Sequence, residues 1–157
     1  MTRKEQAMQY FLEGYNCSQC IILTFQDVIE KYADINVETA LKIASPFGGG
    51  MGRLREVCGS VSAMFMVLGY VEGYHEPGDY EGKKLLYEHI QKLAHSYEEE
   101  NGSIVCRELL GLNVKHQEAT PEKRTEEYYK SRPCTQKIGS AAELLEKYLI
   151  EVKVLES

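Results

Sequence analysis

The sequence predicts an all-α protein, folded as a single-domain orthogonal bundle of about six to seven helices over residues 1–157. Apolar residues recur at spacings of three and four along most of the chain, whereas apolar and polar residues almost never alternate with period two. Glycine and asparagine turn signals separate these periodic stretches. Because no repeat, low-complexity tract or long linker divides the chain, we expect one core.

The first half of the chain carries three short amphipathic stretches and one longer apolar stretch. The periodicity predicts helices at residues 7–12, 21–29 and 37–44. Asn16 is a good N-cap, so the second of these helices is expected to begin near Cys17. The longer stretch predicts a helix from about Glu56 to Tyr74, where Gly73 and the following turn residues end it.

The second half predicts two longer helices, with a short helix and a polar segment between them. The long helices are expected at residues 79–100 and 140–152. Ser103 would cap a short helix over residues 103–110, in which Cys106 takes the third position. Residues 113–132 are the most polar part of the chain, which favours a solvated loop with one short helix.

The composition excludes several classes of protein. A formal net charge of -6 and a pI near 5.3 argue against nucleic-acid binding, which needs a basic surface. The first residues mix charged and apolar positions and lack the apolar run of a secretory signal. The longest apolar stretch, around Val61–Val71, is shorter than the roughly 20 residues that cross a bilayer. We therefore expect a cytoplasmic protein that does not insert into membranes.

Four of the five cysteines lie where the neighbouring residues predict the start of a helix. They are Cys17, Cys58, Cys106 and Cys134. A helix N-terminus stabilises a nearby anion by about 0.3 to 1 kcal/mol, which favours the thiolate that attacks, oxidises or binds metal. A single cysteine is more often an inert, buried hydrophobe. The shared placement favours redox or metal chemistry, because a chain of this size needs no disulfide framework.

A glycine-rich run, Phe47–Arg53, stands shortly before Cys58. It predicts a turn with positive φ or a very close backbone approach, and it fits neither a Walker A loop nor a GxGxxG motif. Amides in such a turn can hold an anion or the sulfides of a cluster, and a plain inter-helix turn is an equally good interpretation. The candidate cofactor-binding residues are Gly48, Gly49, Gly50 and Arg53. Arg53 and Arg55 would add positive potential at Cys58, which makes it the first candidate for a low-pKa thiol.

Cys17 and Cys20 form a CxxC motif at a predicted helix start. A thioredoxin fold would need a strand before this helix, and the preceding residues have a helical pattern, so we reject that fold. A zinc knuckle would need a second close pair of cysteines, and the other three stand singly. The four histidines form no HExxH pattern. A metal site would therefore have to be assembled by the fold from distant cysteines.

Five motifs, in order along the chain, resemble those of the C-GCAxxG-C-C family of redox-active proteins. They are Gly14–Cys17, Phe47–Gly52, Cys58-Gly59, Cys106–Gly111 and Cys134. The resemblance covers roughly residues 5–150 and implies electron or thiol chemistry at the four cysteines, without naming a substrate. Ser60 and Ala63 stand where the family is expected to have alanine and glycine, and Cys20 is an additional thiol.

Our leading hypothesis is a small redox protein whose four cysteines converge beside the glycine run and carry thiol-disulfide or electron-transfer chemistry. Cys58 attacks and a neighbouring cysteine resolves, as in a thiol-disulfide oxidoreductase; the cofactor, an iron-sulfur cluster, zinc or none, is left open. The alternative is a metal-binding module without catalysis, in which Cys17, Cys58, Cys106 and Cys134 hold zinc or an iron-sulfur cluster. A third hypothesis is an interaction protein with inert core cysteines. The redox hypothesis implies a partner redox protein, and a homodimer is compatible with the long apolar helix.

Overall fold

The fold is all-α, as predicted. A computed structural model describes residues 1–113 and 116–157, and these residues contain nine α-helices and no β-strand. The helices are α1 (Arg3–Leu12), α2 (Cys17–Thr24), α3 (Gln26–Tyr32), α4 (Val37–Ala44), α5 (Gly59–Glu72), α6 (Tyr80–Asn101), α7 (Cys106–Leu109), α8 (Glu126–Ser131) and α9 (Cys134–Glu151). A 3₁₀ turn at Ser45–Phe47 and a turn at Gly48–Met51, left-handed at two of its glycines, lie between α4 and α5. The helices outnumber the predicted six or seven, and the orthogonal arrangement stays a prediction.

Two boundaries in the first half differ from the prediction. The helix expected over 21–29 is divided at the fully buried Phe25, whose φ of -113° and ψ of 19° are not helical, so that α2 and α3 are separate. Helix α5 begins at Gly59 rather than Glu56. The residues before it instead pair with another segment, since Val57 and Val105 form an isolated antiparallel bridge. A bridge partner of this kind is too distant in sequence for local periodicity to reveal.

Two boundaries in the second half also differ. Helix α7 begins at Cys106, because the Oγ of Ser103 accepts the N–H of Val105 instead of capping the helix. Helix α9 begins well before the predicted residue 140 and runs through Gly139. A Cβ at Gly139 would lie 2.9 Å from Sδ of Met8, so this glycine serves close packing of α9 on α1. Propensity alone counts glycine against a helix, and here tertiary contact overrides it.

Helix α5 is the centre of the core and packs against α2, α3, α6 and α9. Val61, Met64 and Leu68 are fully buried, whereas Phe65 and Met66 are partly buried against the core. Each fully buried side chain of this size contributes about 1.5 to 3 kcal/mol to the stability of the fold. Because other helices pack on several sides of α5, apolar residues are favoured on several of its faces. Within the described part of the chain, no helix has both the length and the apolar content needed to cross a bilayer.

The polar segment predicted over 113–132 contains one short helix, α8, as expected. Val114 and Lys115 lie outside the described residues. Most of the other side chains in the segment are exposed, but Arg124 and Tyr128 are half-buried and pack against the α1 side chain Phe11. The segment is therefore partly attached to the helical core rather than fully solvated. The interpretation of residues 1–157 as one domain stays a prediction.

Candidate functional site

The four cysteines predicted at helix starts line one cavity. Cys17, Cys106 and Cys134 are the first residues of α2, α7 and α9, and Cys58 is the N-cap of α5. The cavity has a volume of about 70 Å³. At roughly 10 to 15 Å³ of such volume for each water molecule, it can hold a few waters or a small polar group. Convergent helix N-termini therefore surround a space in which thiol chemistry can occur.

The thiol of Cys17 lies beside that of Cys58 in this cavity, and the two interact. Gly59, directly after Cys58, makes the approach possible. A Cβ on Gly59 would lie 2.5 Å from Sγ of Cys17 and 2.6 Å from the carbonyl oxygen of Phe47. Real Cβ atoms do not come this close to other heavy atoms, so only glycine fits between the two cysteines at this position.

The pKa of Cys58 is lowered to about 6, mainly by the hydrogen bond from the Cys17 thiol. The Oγ of Ser60, 3.0 Å from Sγ of Cys58, also donates to the thiolate, as do the N–H groups of Ser60 and Val61 at the start of α5. Burial opposes the shift, since Cys58 is only 8% exposed. The same hydrogen bond and burial raise the pKa of Cys17. Near neutral pH the pair therefore holds one proton, on Cys17.

Cys58 has the lowered pKa that was predicted, but the two arginines expected to cause it make their hydrogen bonds elsewhere. Arg55 donates from Nη1 to Sγ of Cys106 at 3.4 Å, and Arg53 donates from Nε to the carbonyl of Glu118 at 2.8 Å. Neither arginine is among the main causes of the shift at Cys58. The helix-start amides and the neighbouring thiol take that role.

The glycine run forms a left-handed turn. Every residue from Gly49 to Arg53 has φ between 62° and 70°, and the N–H of Gly52 donates to the carbonyl of Gly48 at 2.9 Å. The amide of Gly49 favours a lower pKa of Cys17, so one amide of the turn faces a cavity thiol. Gly50 allows Cys106 to approach, because a Cβ there would lie 2.7 Å from the Cβ of Cys106. The turn has both features predicted for it, positive φ and close approach, and its cofactor-binding role stays a prediction.

Cys106 and Cys134 differ from the Cys17–Cys58 pair in that burial keeps them protonated. Burial raises the pKa of Cys134 to about 11. Burial also raises the pKa of Cys106, against the opposing hydrogen bond from Arg55. At neutral pH these two thiols are neutral hydrogen-bonding groups, and Cys58 is the cysteine of the cavity with a lowered pKa.

The family model for the C_GCAxxG_C_C proteins, described as "Putative redox-active protein", matches residues 15–148. This chain belongs to the C_GCAxxG_C_C family. The match includes all four cysteines of the cavity and the glycine turn. Comparisons with curated proteins and with solved structures gave no significant match.

Cys20, the thiol additional to the C_GCAxxG_C_C pattern, does not line the cavity. It is fully buried, its Sγ lies 3.7 Å from the carbonyl oxygen of Tyr15, and burial raises its pKa to about 12. The CxxC spacing therefore does not mark the interacting pair of thiols. The partner of Cys17 is Cys58, forty-one positions away in the sequence.

A metal site in this C_GCAxxG_C_C chain would draw on the same cysteines. Among the residues that the structure describes, no three His, Cys, Asp or Glu side chains are arranged to hold a metal ion. The histidines instead lie beside carboxylates, as His89 does with Glu72 at 2.6 Å. Zinc or iron-sulfur binding at the four thiols stays a prediction.

Three residues around the Cys17–Cys58 pair were missed by sequence reasoning. Arg124 lines the cavity from the polar segment, and its guanidinium lies 4.1 Å from the centre of the Phe11 ring. Tyr97, fully buried on α6, contacts both Cys58 and Ser60. Ser60 could have been found, because a hydroxyl at a position where C_GCAxxG_C_C proteins are expected to have alanine is a departure beside the key cysteine. Arg124 and Tyr97 carry no comparable signal.

Replacing Ser60 with alanine, the residue expected at this position in the C_GCAxxG_C_C pattern, is expected to raise the pKa of Cys58. The change removes the 3.0 Å hydrogen bond to Sγ. One such bond contributes about 0.5 to 1.5 kcal/mol, so the ionisation constant should fall by roughly threefold to tenfold. Thiolate absorbance against pH measures the shift. Ser62→Ala on the same helix is the matched control, and equal titration curves for the two variants would contradict the assigned role.

Proposed function

We propose that this protein is a thiol-disulfide redox protein in which Cys58 attacks a disulfide and Cys17 resolves the product. The observation that supports the proposal is the Cys17 thiol beside a Cys58 with a lowered pKa, inside a cavity lined by four cysteines. A low-pKa thiolate beside a second thiol is the arrangement from which dithiol exchange proceeds. The five free thiols fit a reducing compartment, and we place the protein in the cytoplasm.

The proposed reaction transfers two electrons from the protein to a disulfide. The Cys58 thiolate attacks one sulfur of the disulfide, a mixed disulfide forms, and the second sulfur leaves as a thiolate. That thiolate takes the Cys17 proton. The Cys17 thiolate then attacks Sγ of Cys58, which closes the Cys17–Cys58 disulfide and releases the first sulfur as a thiolate that takes a proton from solvent. Two thiols leave, and the protein is oxidised by two electrons.

Cys106 and Cys134 have a later role in this proposal. They line the same cavity, and burial keeps both protonated. A protonated thiol is a poor nucleophile, so neither begins the reaction. By exchange with the Cys17–Cys58 disulfide, they can pass the oxidation to a partner redox protein that restores the dithiol.

A single-turnover experiment tests the proposal. Reduced protein is mixed with a small excess of bis(2-hydroxyethyl) disulfide, the reaction is quenched with acid, and the mass of the protein is measured by mass spectrometry. Wild type is expected to lose two hydrogens, as the Cys17–Cys58 disulfide forms. Cys17→Ser is expected to stop at the mixed disulfide on Cys58, and Cys58→Ser is expected to lose most of its reactivity.

Cys20→Ser is the matched control, because serine can keep the hydrogen bond to Tyr15 and Cys20 lies outside the cavity. It should react at the wild-type rate. If Cys58→Ser were oxidised as fast as wild type, the proposal would be wrong.

The metal-binding alternative remains a second candidate because four thiols line one cavity. Zinc and iron-sulfur clusters both take four thiolates. Native mass spectrometry of protein purified without oxygen measures bound metal and subunit number together, so it also tests the homodimer. Stoichiometric metal in wild type that is lost in Cys106→Ser would favour this alternative, whereas metal-free protein with a reactive Cys58 would favour the thiol-disulfide proposal.

A further inference from the structure

Arg55 is a buried cation. Its exposure is 7%, and its guanidinium donates to Oε1 of Gln117 at 2.8 Å and to Sγ of Cys106 at 3.4 Å. Among the residues that the structure describes, no carboxylate lies within ion-pair distance of it, and Val114 and Lys115 carry none. Buried charges are normally paired, because leaving one alone in the interior costs several kcal/mol. Arg55 is therefore expected to have a counter-charge when the site is in use.

Arg124 is a second cation of the same kind. It is half-buried, and its guanidinium donates to the carbonyl oxygens of Phe11 at 2.9 Å and Tyr15 at 3.2 Å. Carbonyls orient a guanidinium without neutralising it, and none of the described carboxylates pairs with Arg124. Both arginines line the cysteine cavity. Two cations that no described carboxylate pairs with thus face the thiols, of which only Cys58 has a lowered pKa, in a protein with a formal net charge of -6.

An open groove of about 360 Å³ adjoins the cavity. The two spaces share five lining residues, which are Asn16, Gly49, Arg55, Arg124 and Tyr128. These residues therefore lie between a ligand in the groove and the thiols of the cavity. The groove adds Arg53 and one acidic residue, Glu122. Glu122 is paired with Arg132 and lies 3.9 Å from Arg53, so its charge is already matched. The approach to the thiols is therefore positive.

Resting on the proposed function, we infer that the substrate is a small disulfide that carries a carboxylate, held by Arg55 and Arg124 while Cys58 attacks its sulfur. Guanidinium groups bind carboxylates through paired, charge-assisted hydrogen bonds, which would supply the counter-charge that Arg55 lacks. The carboxylate is unchanged in the reaction. The substrate S–S bond breaks, the bond from Cys58 to the substrate sulfur forms, and the leaving thiolate takes the Cys17 proton.

Three disulfides of similar size and different charge test the inference. They are dithiodiglycolate, which is anionic, bis(2-hydroxyethyl) disulfide, which is neutral, and cystamine, which is cationic. Each single-turnover rate is divided by the rate of the same disulfide with a free cysteine peptide, which removes intrinsic reactivity. Wild type is expected to favour the anionic disulfide over the neutral one by at least tenfold and to disfavour the cationic one. The preference should weaken at high salt, because screening reduces attraction between charges.

Substitutions test whether the preference for the anionic disulfide arises from the arginines of the cavity. Arg124→Gln is expected to reduce the anionic-to-neutral ratio to near that of the peptide, and Arg124→Lys to retain part of it. Lys42→Gln removes the same charge from an exposed position, 76% accessible, and should keep the wild-type ratio. Circular dichroism confirms that each variant is folded.

The outcomes separate the inference from the proposed function. If wild type showed no preference for the anionic disulfide, or if Arg124→Gln kept it, the inference would be overturned and the thiol-disulfide proposal would stand. If none of the three disulfides oxidised wild type, the proposed function itself would fail.

Discussion

At pH 7, iodoacetamide is expected to modify Cys58 of the folded protein about a hundredfold faster than Cys134. The pKa of Cys58 is lowered to about 6 by its hydrogen bond to Cys17, and burial raises that of Cys134 to about 11. The thiolate fractions then differ by about ten thousandfold. The Cys58 thiolate is the less basic of the two and therefore the weaker nucleophile, which reduces the difference in rate by about two orders of magnitude. Timed alkylation followed by peptide mass spectrometry measures both rates.

The pH dependence of the same reaction gives an independent check. Because the thiolate is the reactive form, the Cys58 rate should fall about tenfold per pH unit below pH 6 and level off above pH 7. Cys20, whose pKa is raised to about 12, should remain unmodified over this range. In denaturant all five cysteines should react alike. A Cys58 rate that still rises between pH 8 and 9 would show an ordinary thiol and contradict the geometry.

Gly59→Ala is expected to destabilise the fold by about 3 kcal/mol, the upper part of the range for overpacking a core. The added Cβ would lie 2.5 Å from Sγ of Cys17 and 2.6 Å from the carbonyl oxygen of Phe47, so α2 or the preceding turn must move. The movement separates the two thiols, and the pKa of Cys58 should therefore rise towards that of an ordinary cysteine. Urea denaturation measures the stability, and the alkylation rate at neutral pH reports the pKa.

Gly69→Ala on the same helix is the matched control. A Cβ at Gly69 meets no atom within 4 Å, and the residue is exposed. Alanine in an exposed helix interior is more favourable than glycine by about 0.5 to 1 kcal/mol. The control should be slightly stabilised, with unchanged Cys58 reactivity. If both alanine variants were equally stable, the close packing described at Gly59 would be refuted.

The helix starts at the cysteines could be predicted because they depend on local residues. Asn16 accepts the N–H of Gln19, as its N-cap role requires, and Pro133 precedes α9. The division of one predicted helix at Phe25 depends instead on burial in the core, which periodicity over a short window does not contain. The start of a helix can thus be predicted from its capping residues, whereas a break that depends on packing in the core cannot be predicted from the local sequence.

Which residues form the candidate site could be predicted only in part from the sequence. The four cysteines share a local signature, so their grouping could be inferred. The pairing of Cys17 with Cys58 depends on how α2 packs against α5, and the contact of Arg55 with Cys106 depends on a left-handed backbone at Arg55, with φ of 58°. A bulky residue seldom adopts that conformation, so no sequence rule places its side chain.

The contact between Cys17 and Cys58 also affects how the site withstands oxidants. Peroxide converts a reactive thiolate to a sulfenic acid, and a second equivalent carries an isolated sulfenic acid to the sulfinic form, which cells rarely repair. At this site the hydrogen-bonded Cys17 thiol is already beside any sulfenic acid on Cys58. Condensation of the two releases water and leaves a reducible disulfide. In the proposed function, the contact that makes Cys58 reactive therefore also limits irreversible damage to it.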